Sequence, residues 1–308
     1  MPLESYRGPL PPLSAGQTAL RDELRGYVQK LAGEIGMRHA SAPGSMNKTA
    51  DYLQGEFVKA GHFLGLQDYT ATYESSEVTF YNIEAEIRGN TSPDEIVVIG
   101  AHYDSQRSGP GADDNASGVA AILSLARFPA LQHPGRTLRF VAFANEEYPF
   151  SISSRMGSYV YAQKCRERGE NIVAMISLES IGYYSTNASS QKYPFPFSLI
   201  YPSTGDFIGF VTRTTDGDLL RRCLEVFRRK TQFPSEGGSP PSFVRGVSLS
   251  DHWPFWKAGY PAIMITDSTR NRSPHFHKKT DTPETLDYDR MARVVDGLGY
   301  VIEDLVNR

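Results

Sequence analysis

Residues 95–104 read EIVVIGAHYD. The first half is a continuous β-branched run, the mark of a strand buried on both faces. The second half turns polar at His102 and Asp104. TLRFVAFANEE (137–147) and IVAMISLESIG (172–182) repeat this change from apolar strand to acidic end, and PAIMIT (261–266) is a further apolar strand. Helical patterns stand between them over 117–128, 155–168, 218–230 and 286–307. Strands alternating with helices predict an α/β fold with a mixed, mostly parallel central sheet and helices on both faces. Upstream, helical spacing over 17–35 and 47–61 precedes two alternating segments, 66–74 and 78–88, that read as antiparallel strands.

The 308 residues are read as one catalytic domain over 1–308, with the Pro-rich residues 1–15 as an irregular arm. A formal net charge of −3 gives no general attraction to nucleic acid or to an anionic membrane surface. No apolar run reaches the ~18–20 residues of a membrane helix. Cys165 and Cys223 sit in helical segments and read as free buried thiols, not as a disulfide framework. MPLESYRGPLPPL lacks the apolar core of a secretory signal, so the expected location is cytoplasmic, with export after signal removal left open. Residues 105–113, 148–155 and 231–250 are insertions that either wall a substrate pocket or simply connect elements.

In open α/β sheets, ligands bind beyond the carboxyl ends of the strands, and the polar residues cluster there. His102 and Asp104 are two apart, so on extended backbone they share a face. A neutral imidazole suits zinc, and Asp104 suits the second ring N–H. Asp113 and Asp114 stand where a helix begins, as caps or as a carboxylate bridging two cations. Glu146 and Glu147 end an apolar strand, and neighbouring strand residues point opposite ways. One could bind metal while the other serves as a base. Glu179 interrupts an apolar strand and calls for an Arg, a backbone donor or a metal. His275 and His277 share a face, and one of them is a further ligand candidate. The set suits two borderline cations sharing a carboxylate. Signatures of serine hydrolases, P-loops and single-zinc metalloproteases are absent from the sequence.

GAHYDS, GADDNASG, NEE, SLESIGYY, SDHWPFWKAGYPA and FHKKTDTPETLDY, in this order over roughly residues 40–305, resemble the di-zinc aminopeptidase family. Glutamate carboxypeptidase and glutaminyl cyclase are relatives in that family. The resemblance implies a zinc-dependent aminopeptidase acting on a peptide or aminoacyl substrate, with two zinc ions per chain. It makes His102, Asp114, Glu147, Glu179 and His277 the metal ligands, with Asp114 shared and followed by a cis peptide. Glu146 becomes the general base, Asp104 the support of the His102 ring, and Asp251 and His252 residues beside the pocket. Glutaminyl cyclase-like or carboxypeptidase-like activity, and a non-catalytic binding domain, are the alternatives. Position 179 carries Glu where the family more often has Asp, and 148–155 lengthens the stretch after the Glu pair.

Overall fold

A computed structural model describes all residues except Pro43, Pro194, Ser242, Phe243, Arg245 and Arg308. Three of those six fall in the 231–250 insertion, so that part of the expected pocket wall lies outside the described residues.

The central sheet has eight strands in the order β1-β2-β4-β3-β5-β8-β6-β7. They are β1 Phe63–Tyr73, β2 Ser76–Ile87, β3 Ser92–His102, β4 Arg136–Phe143, β5 Asn171–Glu179, β6 Ile208–Val211, β7 Ser235–Gly238 and β8 Ala262–Thr266. Pairings β3–β4, β3–β5, β5–β8 and β6–β7 are parallel, whereas β1–β2, β2–β4 and β6–β8 are antiparallel. The mixed, mostly parallel sheet expected from the sequence is therefore present.

Its faces are covered separately. Val97, Ile99 and Ala101 of β3 join a large core. That core also takes α1 Ala15–Val28, α2 Ser45–Lys59, α3 Gly118–Leu125, α5 Gly217–Lys230 and α8 Tyr288–Val306. Ile96 and Val98 face the other way, into a smaller core with α4 Gly157–Glu167 and α6 His252–Lys257. The period of two in a strand sends one continuous apolar run to both cores. GVAAILSL makes α3 apolar all round, and every residue of it is buried.

Helix starts follow local chemistry. Ser14 and Gln17 form a reciprocal capping box at α1, and Asp287 accepts from the Arg290 N–H at α8. The expected helix over 17–35 begins at Ala15 and continues beyond Val28 as a wider-turned π segment, Gln29–Ile35. Residues 1–14 carry no regular element, and Arg228 donates to the carbonyls of Pro2 and Leu3. Cys165 and Cys223 are free and buried. Among the described residues, no helix is long and apolar enough to cross a membrane.

Candidate metal centre

The site lies beyond the C-terminal ends of β3, β4 and β5. His102 is the last residue of β3, and Glu179 is the last of β5. Asp114 lies in the π segment Ala112–Ser117 before α3, where it and Asn115 leave helical backbone angles and share a cis peptide bond. Glu146 and Glu147 follow β4, and His277 belongs to the segment before α8.

These residues form two groups that share Asp114: His102, Asp114 and Glu179, and Asp114, Glu147 and His277. His102 Nε2 is 3.3 Å from Asp114 Oδ1 and 3.3 Å from Glu179 Oε2. His277 Nε2 is 3.1 Å from Asp114 Oδ2 and 3.2 Å from Glu147 Oε1. The two oxygens of Asp114 thus face different imidazoles. Ligands with ~2.0–2.2 Å bonds to one tetrahedral zinc stand roughly 3.3–3.5 Å apart, so the spacings fit. His102 Nε2 and Glu147 Oε1 are buried without a hydrogen-bond partner, a costly state that a cation would relieve. The imidazole and carboxylate donors suit a borderline cation.

Glu179 reaches the His102 group despite its longer arm. Ser250 Oγ donates to Glu179 Oε2 at 2.6 Å and Ser180 Oγ donates to Oε1 at 3.2 Å, which fixes the carboxylate. Glu146 Oε2 is 4.0 Å from His102 Nε2 and belongs to neither ligand group. Burial raises the Glu146 pKa well above the ordinary range, with the Glu179, Glu147 and Asp251 charges adding to it against His102. Burial opposes a charged His102 ring, yet Glu179, Glu146, Asp104 and Asp114 outweigh it and hold its pKa high.

The strand rule for Glu146 and Glu147 does not apply as expected, because β4 stops at Phe143. Asn145 takes a left-handed backbone, φ 60°, and both carboxylates turn into the same centre. Asp104 does more than support an imidazole. Its Oδ1 is 3.3 Å from His102 Nδ1, and its two oxygens accept the Glu146 and Glu147 N–H groups, each at 3.0 Å.

A second carboxylate has the same task and was not singled out as a site residue. Asp281 accepts the N–H groups of Asp113 at 2.9 Å and Asp114 at 3.2 Å. Arg38 was also missed. Fully buried, it donates to the carbonyls of Tyr103, Pro110 and Gly111 and holds the segment between the two clamps. A short segment, MRHASAPG, rich in small residues was its only signal in the sequence.

Asp251 is fully buried beside the centre, and burial pushes its pKa up to about 7 against the nearby His102. His252 stands away from the ligand groups. Its Nε2 donates to the Val247 carbonyl at 2.7 Å, and burial lowers its pKa to about 4, so the ring is neutral. His275 joins neither group; its Nδ1 is 3.0 Å from Thr280 Oγ1.

Beside Glu179 opens a cavity of about 220 Å³, walled by Tyr201, Phe210, Met264 and Phe276 among others. Glu179 pairs with Thr266, which pairs with Gly209, which pairs with Glu236 across four adjacent strands. Short Thr266 and bare Gly209 keep the floor of that row low.

Comparison with known proteins agrees with this geometry. A protein 37 % identical over 294 residues, the uncharacterized protein YfbL of Escherichia coli (strain K12), aligns with 92 % of this chain and 88 % of its own length. A probable zinc metalloprotease of Pyrenophora tritici-repentis (strain Pt-1C-BFP) is 27 % identical over 89 % of this chain, which spans only 65 % of that protein. The solved structure of BSAP, a zinc aminopeptidase from Bacillus subtilis, superposes with a TM-score of 0.71 at 15 % identity, covering 94 % of this chain and 95 % of that one. At that identity the likeness shows the fold. The family model of peptidase family M28 matches residues 82–302, a span running from β2 to α8 that holds every candidate ligand, and the chain belongs to that family.

Proposed function

We propose that the chain is a zinc-dependent exopeptidase, an aminopeptidase that removes N-terminal residues from peptides. The observation that carries this reading is the pair of ligand groups sharing Asp114. His102, Asp114 and Glu179 would hold one zinc, and Asp114, Glu147 and His277 the other. The zinc metalloprotease and zinc aminopeptidase names of the relatives support the choice of metal. When bound, a zinc pair supplies Lewis acidity, polarising a carbonyl and making water nucleophilic near neutral pH.

The remaining work falls to the chain. Glu146 takes the proton of the attacking water and delivers it to the leaving amine. A buried carboxylate with a raised pKa suits both halves of that task. Asp104 fixes the His102 ring through Nδ1 and holds the Glu146 and Glu147 backbone, so base and ligand move as one unit. The free substrate amine is held among the carboxylates of the centre, which restricts cleavage to chain ends. The cavity beside Glu179 receives the first side chain, and its aromatic and aliphatic walls favour a large apolar one.

A panel of fluorogenic substrates tests this reading with zinc-loaded protein. Leucyl and phenylalanyl substrates should be cleaved, and their N-acetyl forms should be inert. Equal cleavage of blocked substrates, release of a C-terminal Glu, or conversion of an N-terminal Gln alone would overturn the aminopeptidase assignment.

A further inference from the structure

The Glu146–Glu147 turn is held by Asp104 from one side, but Asp104 acts only on its backbone N–H groups. What sends both side chains into the centre is the preceding residue. Asn145 is buried and left-handed, with φ 60°. Asn tolerates that region better than other non-glycine residues, yet it remains a sparsely populated state that surroundings must hold.

The hold comes from the outer hairpin. Tyr69 lies on β1, an edge strand of the sheet two places from β4. Its hydroxyl accepts a hydrogen bond from Asn145 Nδ2 at 2.9 Å and lies 3.5 Å from the Ala144 carbonyl. The neighbouring strand fixes the residue before. Asn82 of β2 accepts the Ala144 N–H at 3.0 Å and donates to the Gly157 carbonyl at 2.8 Å. Gly157 N–H in turn donates to the Ala144 carbonyl at 2.8 Å. A Cβ at Gly157 would stand 2.3 Å from that carbonyl oxygen, so this junction has no slack.

We propose that Tyr69 is a positioning residue for the Glu146–Glu147 turn, acting through the side chain of Asn145. The proposal rests on the reading of Glu146 as the base. Losing one neutral hydrogen bond is worth roughly a tenfold change in the population of the held turn. Tyr69→Phe removes only the hydroxyl and keeps the ring beside Phe80, 6.0 Å away. Asn145→Gly keeps the left-handed backbone accessible and removes the tether from the other end.

The experiment has two readouts. The first is amide hydrogen exchange of a peptide covering residues 141–150 in metal-free protein. Tyr69→Phe and Asn145→Gly should each speed exchange there about tenfold and leave the rest of the chain and the melting temperature near wild type. The second is turnover of the zinc-loaded protein. At saturating zinc each variant should lower kcat about tenfold with KM unchanged, zinc affinity at the group containing Glu147 should fall by a similar factor, and the double variant should be no worse than either single one. Wild-type exchange and kcat in Tyr69→Phe would overturn the proposal, as would additive losses in the double variant. A purely structural Tyr69 would instead lower the melting temperature and speed exchange throughout. If zinc-loaded wild type cleaves no aminoacyl substrate, the peptidase reading fails, and exchange of 141–150 alone decides the tether.

Discussion

The proposed division of labour between Glu146 and Glu147 rests on surroundings that differ by one contact each. Glu147 Oε1 faces His277 at 3.2 Å, whereas Glu146 reaches no closer than 4.0 Å to His102. Glu146→Gln should therefore keep both metals and lose roughly 10²–10⁴-fold in kcat, the usual scale of a lost general base. Glu147→Gln should weaken zinc binding at the His277 group instead. Metal analysis beside turnover of the two variants checks this, and wild-type kcat in Glu146→Gln would remove the residue from its role. His102, Asp114, Glu147 and Glu179 stood out because each breaks an apolar pattern at a strand end or a helix start, whereas His277 stood out only by its spacing to His275 and the resemblance. Asp281 did not, because its partners Asp113 and Asp114 lie 168 and 167 residues away. Nothing in TDTPETLDY shows which backbone it will meet.

At the scale of elements, β3, β4, β5 and β8 were legible for one reason: a strand covered on both faces must be apolar throughout. Alternation found β1 and β2 equally well. β6 and β7 were missed because they are four residues each, and SEGG has neither strand propensity nor apolar character. β7 forms at the sheet edge inside the 231–250 insertion, where pairing to β6 overrides composition. The six-residue α6 follows directly on that insertion and was also missed, since HWPFWK is too short to show a period. The 148–155 insertion follows directly on Glu147 and packs on the outer strands. His39 Nε2 donates to the Tyr148 carbonyl at 2.9 Å and Phe150 packs on Tyr73 of β1 at 6.1 Å, so the loop is tied to the same hairpin as Asn145.

The whole molecule concentrates titratable groups in one buried place, and its stability should depend on pH accordingly. Burial holds Asp251 at about 7, above the ~3.9 of an unfolded chain. The native state thus keeps a proton that the unfolded state has released, and stability falls as pH rises from ~4 to about 7. Burial opposes a charged His277, but Asp114 and Glu147 raise it to about 10, so its contribution is complete below ~6.5 and is lost as pH climbs to about 10. Asp114 is depressed despite its burial by His102 and His277, and its opposite contribution is already complete above ~4. His252, which burial lowers to about 4, works the other way, but its gain is complete by ~6.5, and it is one group against Asp251 and His277. Metal-free protein should melt lower at about pH 8 than at about pH 5.5. Zinc takes the place of the lost protons, so the gap in melting temperature between loaded and stripped protein should widen with pH. A gap independent of pH would contradict this assignment of charge.

The proposed centre requires Asp114 to serve two ions at once. The direct measurement is a calorimetric zinc titration of chelator-stripped wild type beside Asp114→Asn, with circular dichroism to show that both are folded. Wild type should take up two zinc ions, the group containing Glu179 more weakly than the group containing Glu147 and His277. Asp114→Asn should lose tight binding at both groups together. One full-affinity zinc remaining in Asp114→Asn, or a wild type that saturates at one ion, would contradict the shared centre.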